Sequence, residues 1–112
     1  MAEITDEMMM QALQHTKDYC IVLLIPTKIS PPENLKQILW EHARRNFSLR
    51  ADGVLSIVCP VTEEGNLSGL GIFNTSIEKT KEIMDGDPGI LAGAFSYEVY
   101  PCKSFPGDTL QA

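Results

Sequence analysis

The 112 residues hold nine basic against fifteen acidic side chains, a net charge of −6 that a phosphate backbone would repel. The basic groups cluster only once, at Arg44, Arg45 and Arg50, so nucleic acid is not an expected partner. A hydrophobic share of 44% with 21% charge describes a folded chain, and this length has room for one domain around one core.

Three cysteines, Cys20, Cys59 and Cys102, are odd in number and form no C-x-x-C pair, which argues against a disulfide framework and a structural zinc site. The first residues are acidic where a signal peptide is basic, and no apolar run approaches about 18 residues. The expectation is a cytoplasmic protein with no membrane partner.

Residues 1–17 read as an N-terminal extension in which Thr5 or Asp6 caps a short helix carrying Met8, Met9, Leu13 and, at its end, His15. The domain proper is expected over 18–112. Its first strand is Asp18 to Ile25, a continuous apolar run suited to burial on both faces, ended by Pro26. A proline-rich loop follows. From about Asn34 the apolar period becomes that of a helix, with Leu35, Ile38, Leu39, Ala43 and Leu49 on one broad face. His42 falls in the middle of that face, while Gln37, Glu41, Arg44 and Arg45 project to the other.

Asp52-Gly53 closes the helix, and Val54 to Cys59 is the second strand. Residues 63–66 form a hairpin turn into the third strand, Leu67 to Asn74, where Gly69 and Gly71 leave one face open to close approach. A capping box with Thr75 as N-cap and Glu78 at N3 starts the second helix, which Gly86 ends. Asp87-Pro88 opens a short turn through Ala92, and Gly93 to Tyr100 is the fourth strand, closed by Pro101.

The order β-α-β-β-α-β with right-handed crossovers gives a ferredoxin-like α+β fold. It is a four-stranded antiparallel sheet with two helices on one face and a short helical extension before it. The other face is left uncovered, the kind of surface that finds a second subunit.

Imidazole is the side chain best placed to move protons at neutral pH, which singles out His42. Position alone leaves two readings, a core histidine bonded to main chain or a proton-transfer group. The two helices run antiparallel, so the loop leaving the second should bring Asp87 toward His42. A carboxylate there would fix the imidazole tautomer and stabilise the imidazolium. Asp87 followed by proline also looks like a helix N-cap with proline at N1, and the two roles are compatible. Arg50 lies near the apolar face and can hold an anionic group, or it is simply solvated. Cys20 and Cys59 read as small hydrophobes on strands without cationic neighbours, Cys102 is placed in a polar, exposed tail beside Lys103, and neither His15 nor His42 shares a ligand spacing with another donor. No cofactor or metal is expected.

The stretch Tyr19 to Tyr100 resembles the YCII-related family of small bacterial proteins. The marks are Y-C-I-V-L-L in the first strand, His42 eleven residues before Gly53, V-C-P, and D-P-G-I-L-A-G-A-F running into Y-E-V-Y-P. The family commonly shows a glycine where Cys59 stands. The resemblance implies a dimeric ferredoxin-like fold, a pocket between helices and sheet, and a match of His42 and Asp87 to the family's proposed histidine–aspartate pair. More distantly the chain resembles dimeric α+β barrel proteins, which include isomerases, monooxygenases and dehydrohalogenating enzymes. The expectation is an acid–base enzyme of lyase or isomerase type acting on a small organic molecule through His42 and Asp87, as a homodimer. The alternative is a small-ligand-binding or structural dimer without turnover.

Overall fold

The computed structural model describes residues 1–112. Its elements are α1 (Asp6–Leu13), β1 (Lys17–Pro26), α2 (Leu35–Ala51), β2 (Leu55–Pro60), β3 (Gly69–Phe73), α3 (Ile77–Asp85), α4 (Pro88–Leu91) and β4 (Phe95–Ser104). The four strands form one antiparallel sheet in the order β2-β3-β1-β4. This is the ferredoxin-like α+β arrangement, with β1 interior and fully paired on one side along β4. No helix is long and apolar enough to cross a membrane.

The apolar run of β1 is divided by its pleat. Cys20 and Val22 point to the helix side, where they join Leu55, Phe73, Ile83 and Met84 in the buried core. Ile21 and Leu23 point the other way, opposite Ile72 and Leu70 of β3, and stay half-buried on a face no helix covers. The core is supplied by α3 rather than α2. Thr80, Ile83 and Met84 of α3 are buried, whereas no residue of α2 is. α2 meets the sheet at β2, with Leu49 against the core, and leaves a cleft beneath it.

Several boundaries differ from the sequence expectations, and prolines explain two of them. Pro26 is the last paired residue of β1 rather than a stop before it, and Pro101 lies inside β4, opposite Cys20. β4 is an edge strand, where alternate amides face away from the sheet and a missing N–H breaks no ladder. Pairing therefore runs on to Ser104 opposite Lys17. The N-cap of α3 is Ser76, whose hydroxyl accepts from the Lys79 N–H at 3.1 Å, and not Thr75. Residues 61–68 form a longer loop than a tight hairpin turn, closed by Val61 N–H donating to the Ser68 carbonyl. The left-handed residue after α2 is Gly53, at φ +75°, as the Asp-Gly signal implied. Thr5 caps α1, whose Met8, Met9, Met10 and Leu13 remain exposed.

Tyr97 ties β4 to the end of α3 by donating its hydroxyl to Asp85 Oδ1 at 2.5 Å. Burial, and then the Asp85 carboxylate, push the phenol up to about 12 from its ordinary 10.0. The folded chain thus holds this proton more tightly than the unfolded one. The resulting stability is complete below pH 10 and is lost as pH rises toward about 12. Urea unfolding of Tyr97→Phe should show a loss of roughly 0.5–1.5 kcal/mol at neutral pH. The gap to the wild type should narrow through this alkaline window, and a gap that is constant across it would contradict the assignment.

Candidate active site

Asp87 terminates the link between α3 and α4, and its position follows from local chemistry. Pro88 at the first helical position has no N–H to satisfy, and Asp87 supplies the acceptor for the next two. Its Oδ2 accepts from the Gly89 N–H at 2.9 Å and the Ile90 N–H at 3.3 Å. The side chain is only 1% exposed. A buried carboxylate needs donors to both oxygens, and the remaining one comes from α2.

That donor is His42. Its Nδ1 lies 2.8 Å from both Asp87 oxygens. Asp87 accepts only, so the Nδ1 proton sits between them and Nε2 is left with its lone pair. Asn46, one turn further along α2, brings its amide Nδ2 to 3.3 Å from Nε2 and donates to it. The Phe95 ring packs against the imidazole at a centroid distance of 5.4 Å. The ring is 15% exposed. His42 and Asp87 are brought together as the antiparallel helices implied.

Arg45 does not point away from this pair, contrary to the helical projection. Its Nη1 donates to the Ile83 carbonyl at 2.7 Å and lies 4.0 Å from Asp87 Oδ1. α2 packs against the α3–α4 junction as well as against the sheet, and position 45 falls on that side. Residues three apart on a helix occupy neighbouring rows, which is the signal that was available. Arg44 is solvated and pairs with Glu41 at 3.3 Å. Asn46 and Phe95 were not anticipated either. The i,i+4 spacing of His42 and Asn46 was visible, whereas nothing local marked Phe95.

Beneath α2 lies a cleft of about 750 Å³. His42, Asn46 and Arg50 line it from the helix, and Leu24, Val58 and Phe95 are among the apolar residues that complete it. Asp87 is not part of the lining, so Nδ1 faces the interior and Nε2 the cleft. Gly69 and Gly71 form part of its wall, but not as bare sheet. A Cβ at Gly71 would lie 3.1 Å from Leu55 Cδ1 and 3.4 Å from the Phe73 ring, so neighbouring side chains already use that space. Asp108, Thr109 and Leu110 of the C-terminal segment lie at the cleft as well.

The cysteines offer no activated nucleophile. Cys20 is buried, Cys59 is exposed rather than packed as a small hydrophobe, and the Cys102 thiol is pushed up by burial and then by Cys20 and Asp18. No three His, Cys, Asp or Glu side chains converge on one point.

No family model and no curated protein matches the chain. Among solved structures it is similar to the 5-chloro-2-hydroxyhydroquinone dehydrochlorinase (TftG) from Burkholderia phenoliruptrix AC1100, in complex with 2,5-dihydroxybenzoquinone. Identity is 16% and the TM-score 0.51, over 73% of this chain and 90% of that one. The methylated RPA0582 protein matches more loosely, at 11% identity and a TM-score of 0.42, over 95% and 96% of the two chains. The first likeness speaks for the fold. Both the sheet topology and the neighbour support the expected α+β class.

Gly89 is the residue that lets the site close. A Cβ there would come within 2.6 Å of Phe95 Cδ2 and 3.1 Å of Asp87 Oδ2. Gly89→Ala should therefore lower stability by roughly 1–3 kcal/mol, read from urea unfolding. It should also disturb the His42 ring resonances. An alanine variant with wild-type stability and unshifted His42 signals would contradict this packing.

Proposed function

We propose that the chain is an acid–base enzyme of lyase or isomerase type, acting on a small organic molecule as a cytoplasmic homodimer. The observation that carries this reading is the imidazole held at Nδ1 by a buried carboxylate with Nε2 turned to an apolar cleft. In that arrangement substrate displaces the Asn46 amide from Nε2, whose lone pair then takes a proton from an acidic C–H or O–H of the substrate. In elimination the electron pair of the broken bond to hydrogen forms a new double bond as the leaving group departs with its bonding pair; in isomerisation the double bond shifts and the imidazolium returns the proton to another carbon. Asp87 stabilises the imidazolium formed and keeps the ring from turning. Phe95 excludes water from one side of the ring. The regained lone pair at Nε2 follows when the proton passes to the leaving group or to solvent.

Elimination is supported by the likeness to a dehydrochlorinase, whose ligand, 2,5-dihydroxybenzoquinone, is a single ring of a size that the cleft admits. The resemblance to YCII-related proteins and the uncovered face bearing Ile21, Leu23, Leu70 and Ile72 support pairing with a second copy through that face. A structural reading has one observation in its favour: Asp87 caps α4 whether or not a reaction occurs.

The test is chloride release from 5-chloro-2-hydroxyhydroquinone and halogenated relatives, measured for wild type, His42→Gln and Asp87→Asn. His42→Gln should lose about 10²–10⁴-fold in kcat/KM while still folded at the assay temperature, the lost donor to Asp87 costing about 1–3 kcal/mol of stability. Asp87→Asn retains a capping acceptor, so it should lose rate far more than stability. Sedimentation of the same samples should show a dimer. Turnover that survives in His42→Gln would discard the mechanism, and a monomeric wild type would discard the dimer.

A further inference from the structure

The cleft side of α2 carries a ladder of polar residues, His42, Asn46 and Arg50, at intervals of four. Successive members lie one above the other, about 6 Å apart along the helix axis. The lower two are already engaged with each other and with Asp87. Arg50 is different: it forms no ion pair and no side-chain hydrogen bond, whereas Arg44 pairs with Glu41 and Arg45 with Ile83 and Asp87. It is also the one permanently cationic residue lining the cleft. The opposing charge is Asp108, beyond the turn at Gly107 (φ +96°), and it is not within ion-pair distance of Arg50.

We infer that the cleft selects small organic monoanions, with the anionic group on the Arg50 guanidinium and an apolar ring-sized body against Phe47, Val58 and Phe95. The acidic C–H or O–H then meets Nε2 of His42. This deepens the proton-transfer reading and rests on it for the role of His42. A guanidinium presents paired donors that match a carboxylate or an enolate-type oxygen pair, and the exposed Arg50 offers them at the mouth of the cleft. The ladder spacing sets the distance between charge and reacting atom. Asp108 also lines the cleft, so added negative charge on the ligand is disfavoured.

4-Hydroxybenzoate and its neutral counterpart 4-hydroxybenzamide test the inference, titrated into the full chain and followed by the NMR signals of His42 and Asn46. The acid is expected to bind the wild type about tenfold more tightly than the amide. Arg50→Gln should abolish that preference while leaving the amide affinity unchanged, and Arg50→Lys should restore part of it. A preference that survives in Arg50→Gln overturns the inference. So do equal affinities in the wild type, or the absence of any shift at His42 and Asn46 up to millimolar concentrations. The proton-transfer reading fails separately: His42→Gln should keep the acid preference even if it also keeps turnover.

Discussion

A single buried carboxylate organises the functional half of this molecule. Asp87 is surrounded by three N–H donors, two from the first turn of α4 and one from the His42 ring. Removing any one would leave an acceptor short of partners in a place water does not reach, at a cost of about 1–3 kcal/mol. The position of α4, the angle of the imidazole and the packing of Phe95 over Gly89 are therefore linked. A change at one is felt at the others.

The same linkage explains why α2 buries nothing fully. The helix is held at its middle by His42 on Asp87 and by Arg45 on the Ile83 carbonyl, both on the α3–α4 side. Its main contact with the sheet is at β2, and the cleft opens beside that contact. The core is filled instead by α3 against β1, β2 and β3. A small domain usually has little apolar area to spare, so leaving a cleft of this size costs packing that the rest of the core must offset. Such an opening above a polar ladder is better suited to receiving a molecule than to stabilising the fold.

The architecture was legible because its signals are local. Glycine after α2, proline after Asp87 and the change of apolar period each act within a few residues. The approach of His42 and Asp87 was legible too, since strand order and crossover handedness fix which helix ends meet. What escaped depended on neighbours distant in sequence. Pro101 reads as a terminator until β4 is known to be an edge. Arg45 reads as solvated while α2 is treated as facing only a sheet. Thr75 and Ser76 are both competent caps, and only the backbone at that turn selects the serine. Phe95 earns its place by a contact with a helix more than forty residues earlier, which no spacing rule reports.

The account depends on which imidazole nitrogen carries the hydrogen. Nitrogen-15 NMR of the His42 side chain, recorded at a pH where the ring is neutral, reads this directly, and His15 can be removed as His15→Gln to leave one signal set. The structure predicts a protonated Nδ1 and an unprotonated, pyridine-type Nε2 that accepts from Asn46. A neutral ring protonated at Nε2, or one that averages between both forms, would mean that Asp87 does not hold it and that no base faces the cleft.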